Sequence, residues 1–190
     1  MQVRANHYAY YIVGFLFFIM APAFAQKMEA QLSSELIDYA NREVQSSLTA
    51  EQIGSVRDES LVQLIKDNML SKMKKDLSDE TAVFNKFSSG RKVIYTVWQI
   101  EAEVNNGGFH QLFTSSAGNF AASAEEAFRE LRAPLFADLL RQVNEERSKG
   151  SGSTNWKEFD DKFFALYDQE DLQKLKIDYI RKNSQDFTDN

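Results

Sequence analysis

Apolar residues recur at intervals of three and four from Gln26 onward, the spacing that gives an α-helix one buried face, so the pattern predicts an all-α chain. Leu32, Leu36, Tyr39, Ala40, Val44 and Leu48 mark a first helix, with Ser33 and Ser34 near its start. Leu61, Leu64, Ile65, Met69 and Met73 mark a second. Asp58 and Glu59 open it and Lys72, Lys74 and Lys75 close it, the signs that suit a helix dipole. A third runs from about Ser89 to Asn105 with Val93, Ile94, Val97, Trp98, Ile100 and Val104 inside. Asn105-Asn106-Gly107-Gly108 is expected to stop it, because Asn and Gly tolerate the left-handed conformation in which helices end; Gly107 is the expected left-handed residue.

A short helix from Phe109 to Phe113, a loop from Ser115 to Asn119 and a helix from Ala121 to Leu131 follow. Pro134 opens the next helix at its first turn, where a missing N–H costs nothing, with Leu135, Leu139, Leu140 and Val143 as its buried stripe. Lys149-Gly150-Ser151-Gly152-Ser153-Thr154 reads as a flexible connection. Two amphipathic segments close the chain, one carrying Trp156, Phe159, Phe163, Phe164 and Tyr167, the other Leu172, Leu175, Tyr179 and Ile180. The expected architecture is a single domain of seven to eight helices, with residues 26–80 as an N-terminal layer on a core from 81 to 190.

The first 25 residues follow another logic. Met1 to Tyr11 carries Arg4 and no acid, Ile12 to Met20 is almost wholly apolar, and Ala21-Pro22-Ala23-Phe24-Ala25 places small residues at −3 and −1 before Gln26. That is the form of a signal peptide cleaved after Ala25, and it points to a periplasmic or secreted protein without a membrane span. No cysteine follows, so a lipid anchor on cysteine is excluded, and disulfide frameworks, thiol chemistry and Cys-ligated metals are excluded with it.

Twenty-two basic against 28 acidic residues make the net charge −6, the wrong sign for a broad nucleic-acid surface, so no direct nucleic-acid contact is expected. The excess is concentrated in residues 101–146, which hold eight acids and three bases. Glu125, Glu126 and Glu130, with Arg129 and Arg132, read either as a solvated helix face with i, i+3 and i, i+4 pairs or as the place where a basic partner docks.

Glu101 and Glu103 lie about 200° apart around a helix and do not form a carboxylate pair unaided. Glu101 is either an acid or metal ligand completed by His110, or a buried residue capping the N–H groups of Phe109 or His110 beyond the Gly pair. Asn105 and Asn106 are either helix-stop residues or binders of a substrate. Phe109, Phe113 and Phe120 either line a groove or belong to the core. His110 is the only histidine beyond the signal segment, and the chain has no G-x-S-x-G, H-E-x-x-H, G-x-G-x-x-G or Walker motif. The expectation is therefore a non-catalytic protein with no cofactor and no metal.

The run Glu101-Ala102-Glu103-Val104-Asn105-Asn106-Gly107-Gly108-Phe109-His110-Gln111-Leu112-Phe113, of the form E-x-E-x-N-N-G-G-F-x-Q-x-F, resembles the signature of the bacterial DNA mimic protein (DMP) family. The likeness extends to a helix–Pro–helix pair at Ala124 to Glu146 and to a closing segment at Phe159 to Phe187 that includes Asp178-Tyr179-Ile180-Arg181-Lys182-Asn183. It covers roughly residues 80–188. The resemblance implies an all-helical domain and an activity in which an acidic surface imitates DNA and sequesters a basic DNA-binding protein. An exported chain does not meet cytoplasmic regulators. The reading for this sequence is thus an exported binding or inhibitor module for a protein partner, with a homodimer left open. Its expected surface is Glu101, Glu103, Asn105, Asn106, Glu125, Glu126 and Glu130 around a structural turn at Gly107, Gly108 and Phe109.

Overall fold

The computed structural model describes residues 42–150 and 155–189, among which there are eight α-helices and no strand. In chain order these are α1 (Ala50–Ser55), α2 (Asp58–Ser71), α3 (Glu80–Phe84), α4 (Ser89–Thr114), α5 (Ala121–Glu130), α6 (Pro134–Ser148), α7 (Trp156–Leu166) and α8 (Leu172–Lys182), with 3₁₀ turns at Ser116–Phe120 and Ser184–Phe187. The expected signal peptide at residues 1–25, the first-helix positions Leu32 to Ala40, and linker residues 151–154 lie outside the described residues.

Local chemistry sets most of the boundaries. Thr49 starts α1 with a capping box: its hydroxyl accepts from the Gln52 N–H at 3.2 Å, and the Gln52 side chain accepts from the Thr49 N–H at 2.8 Å. That start overturns the expected helix through Val44 and Leu48, which are not helical. Val44 is exposed, while Leu48 is fully buried and its backbone is bonded in both directions to Asp189. Asp58 and Glu59 open α2 as expected, but the helix ends at Ser71, so Lys72 caps it and Met73 is buried in the turn beyond. The one-turn helix α3 was not foreseen, since five residues carry too little periodicity to show.

Helix α4 runs through the middle of the unit that begins at Val44 and is buried nearly all round. Its expected stop at Asn105 is a kink instead: Gly107 and Gly108 leave helical geometry and the helix resumes to Thr114. The expected loop after it is the Ser116–Phe120 3₁₀ turn, capped by the Ser115 hydroxyl.

Two aromatic clusters pack along α4. Tyr95 meets Phe84, Phe87, Trp98 and Phe120 at centroid separations of 5.4–5.9 Å. Farther along, Phe109 stands edge-on to Phe163, which meets Phe136, which in turn stacks on Phe128. Each such pair contributes about 0.5–1.5 kcal/mol beyond its buried area. Phe109 and Phe120 are thus core residues, and Phe113 lies half-buried against Trp156. Pro134 opens α6 as expected, but Leu135 is exposed and Phe136 and Ala137 take its place in the stripe; Phe164 on α7 is likewise exposed. Neither Leu135 nor Phe164 lies in line with the residues that meet the core: Phe136 and Phe163, one position away, do.

Candidate functional site

The kink in α4 is held from outside by one carboxylate. Gly108 has φ +73°, and Asp160 of α7 reaches under it to accept the Phe109 N–H at Oδ1, 2.8 Å away. A Cβ on Gly108 would sit 2.7 Å from the Asp160 Cγ, so the position excludes a side chain for steric as well as conformational reasons. Gly107 has φ −162°, extended backbone open to any residue, which corrects the expectation that it is the left-handed member of the pair. The cap on Phe109 belongs to Asp160 rather than Glu101.

Glu101 turns toward α8. Its Oε2 accepts from Lys176 Nζ at 2.7 Å, with both side chains nearly enclosed, and its Oε1 accepts from the Tyr167 hydroxyl at 3.4 Å. Asn105, one turn on, donates to the same hydroxyl at 3.1 Å, so it reaches across to the end of α7 rather than bonding its own turn. Burial, reinforced by the Glu101 charge, pushes the Tyr167 hydroxyl far above the usual phenol range and keeps it protonated. Glu103 is buried and accepts from Gln111 Nε2 at 3.1 Å, a bond that spans the kink. Glu101 and Glu103 therefore drop out of the expected exposed acidic surface. A carboxylate removed from water needs partners within the fold, and both have found them.

Asn106 and His110 lie exposed beside the kink, and the His110 imidazole makes no hydrogen bond to any described residue. Glu101 and His110 are not brought together as an acid–base or ligand pair. Among the described residues no group of three or more His, Asp and Glu is placed to hold a metal, and no helix is long and apolar enough to cross a membrane.

On α5 the carboxylates do face solvent. Glu125 pairs with Arg129 at 3.2 Å, and Arg129 also bonds Asp138 of α6 at 2.7 Å, so the expected i, i+4 pair is present within a three-membered cluster. Glu126 and Glu130 are exposed and have no cationic partner among the described residues. An open groove of about 600 Å³ between α5 and α6 is lined by Ala122, Glu125, Arg141, Asn144, Glu145 and Arg147. Its polar groups are engaged internally: Arg141 with Glu145, Asn144 with the Ala121 carbonyl, and Arg147 over the Phe113 ring.

The structural partners absent from the sequence reading are Asp160, Lys176 and Glu170, whose carboxylate accepts the N–H groups of Leu135 and Phe136 at the start of α6; Tyr167 is read there only as a stripe residue. Lys176 carried a readable signal, since it lies four residues from both Leu172 and Ile180 on the apolar stripe of α8, where an unpaired charge would be costly.

The family model for DMP19-like protein matches residues 85–183, just over half of the 190-residue chain. The chain belongs to the DMP19-like protein family. The matched span opens between α3 and α4 and closes after α8, so it contains the kink, the Glu101–Lys176 pair and the α5–α6 surface of this DMP19-like domain. Comparison with curated proteins and with solved structures finds no match.

Proposed function

We propose that this DMP19-like chain is an exported, non-catalytic binding module that engages a basic protein through the outer face of α5. The observation that carries the reading is the pair Glu126 and Glu130, exposed one turn apart on the family-matched segment with no internal cation. Their Cβ atoms stand about 6 Å apart along one helix face, a spacing two basic side chains of a partner can bridge. Glu125 and Asp138 are held by Arg129 and contribute shape more than free charge. Capture of a partner from an envelope extract by the wild-type chain is expected to be saturable and to weaken as salt rises from about 0.05 to 0.5 M. Glu126→Lys with Glu130→Lys abolishes it while leaving the thermal melt within about 0.5 kcal/mol of the parent. Equal capture by the reversed variant would sink the acidic-face reading.

Family membership also supports a second reading, mimicry of DNA toward a cytoplasmic DNA-binding protein. Fractionation with intact mass separates the two. Export predicts a chain beginning at Gln26 outside the inner membrane, whereas mimicry requires a chain that stays in the cytoplasm and competes with duplex DNA for its partner.

A further inference from the structure

We propose that the cleft between the start of α4 and the end of α2 is a binding site for acidic–aromatic peptides of the form Asp-aromatic-x-Asp, filled in cis by the chain's own Asp186-Phe187-Thr188-Asp189. This goes beyond the α5 reading and is independent of it. The segment is recognised as a bound peptide would be: main-chain carbonyls are read by side chains, and both of its carboxylates are met by donors.

At one end the Asp186 carboxylate accepts the Gly90 N–H at 2.9 Å and the Ser89 hydroxyl at 3.1 Å, at the N-terminus of the 26-residue helix α4, where the backbone dipole favours an anion. The Ser88 hydroxyl donates to the Asp186 carbonyl. Arg91 then reads the next two carbonyls, Phe187 at 2.8 Å and Thr188 at 3.3 Å. The Phe187 ring is fully buried. At the far end Asp189 meets Lys72 and Arg91, each at 2.8 Å, and accepts from Asn68 Nδ2 at 2.9 Å and from the Leu48 N–H at 3.0 Å. Its own N–H donates to the Leu48 carbonyl at 2.8 Å.

Two features separate this cleft from an ordinary helix start. Arg91 is more than nine-tenths buried, and its Nε has no hydrogen-bond partner among the described residues. The cleft also lies partly outside the family match: Leu48, Asn68 and Lys72 precede residue 85 and the tail follows residue 183. Its remaining partners, Ser88 to Arg91, lie within the matched span.

A peptide in trans competes with a tethered tail at high effective concentration, so occupancy from outside rises when the tail's charges are removed. The test is fluorescence anisotropy with a labelled Ser-Gln-Asp-Phe-Thr-Asp peptide against the full chain and its D186N/D189N variant, which keeps the tail's shape. The variant is expected to bind saturably and at least tenfold more tightly than wild type, and a Ser-Gln-Asn-Phe-Thr-Asn peptide is expected to lose that binding. No saturable binding to a variant with the parent's helical spectrum, or equal binding of the Asn peptide, overturns the proposal. Should the double variant lose its helical spectrum, D189N replaces it under the same criteria. Wild-type hydrogen exchange provides an independent readout: millimolar peptide accelerates exchange of the Asp189 N–H if it displaces the tail, and unchanged exchange also overturns the proposal.

Discussion

Gly108 and Gly107 stand side by side in the same motif and do different work. Gly108 is irreplaceable on two counts, its positive φ and the Asp160 carboxylate pressed against the place a Cβ would take. Gly108→Ala is expected to cost about 3 kcal/mol, combining left-handed strain with loss of the Phe109 cap. At Gly107 a Cβ would lie 2.8 Å from the Gln111 Cβ, an obstacle of packing without backbone strain, so Gly107→Ala is expected to cost clearly less. Chemical denaturation of both variants checks the order, and equal losses would show that Asp160 does not govern the kink. The signature's polar residues divide in the same way. Glu101, Glu103, Asn105 and Gln111 serve bonds within the fold, and their spacing reflects partners on α7, on α8 and across the kink.

At the scale of elements, three helical starts in this domain are met by carboxylates from a distance, beside the local caps at Thr49, Ser88 and Asp171. Asp160 caps the resumed end of α4, Asp186 the beginning of α4, and Glu170 the beginning of α6. All three lie in the last third of the chain. Glu170→Ala leaves the Leu135 and Phe136 N–H groups without their acceptor and is expected to lower stability by about 1 kcal/mol, read as a fall in the denaturation midpoint at unchanged slope. No loss would mean that water serves α6 equally well. Arg181 does the complementary task at the other polarity, donating to the carbonyls of Ile53 and Val56 around the end of α1 and to the Asp58 carboxylate.

Across the whole molecule, Asp189 joins segments that are far apart in sequence: Leu48 before α1, Asn68 of α2 and Lys72 just beyond its end, and Arg91 of α4. Burial alone would raise its carboxyl pKa, but Lys72, Asn68, Arg91 and the Leu48 N–H together hold it below the usual carboxylate range. A carboxyl depressed in the folded state stabilises fully above its unfolded value near about 3.9, and that contribution is lost as pH falls through the lower folded value. Asp189→Asn is expected to cost about 1–3 kcal/mol at neutral pH and to flatten stability against pH below about 4. Thermal melts from pH 2 to 7 test this, and an unchanged acid limb would mean that other carboxylates govern acid unfolding.

What the sequence determined by itself is the all-α class, most helix positions between Asp58 and Lys182, the interruption at Asn105–Gly108 and the family signature. The first three follow from local rules: periodicity, capping chemistry, and the backbone freedom of glycine; the signature is a resemblance carried by the motif residues themselves. Tertiary structure alone decided which acids are free. Glu101, which the sequence leaves as either a site acid or a buried residue, and Glu103 become internal because Lys176, Tyr167 and Gln111 are folded onto them. Glu126 and Glu130 are exposed and make no ion pair among the described residues. Leu48 and Asp189, at opposite ends of the described chain, share two bonds that no local pattern announces. The physical reason is common to all of these. Whether a charge is solvated, paired or buried depends on residues from eight to more than a hundred positions away, brought together only when the chain folds and the helices pack.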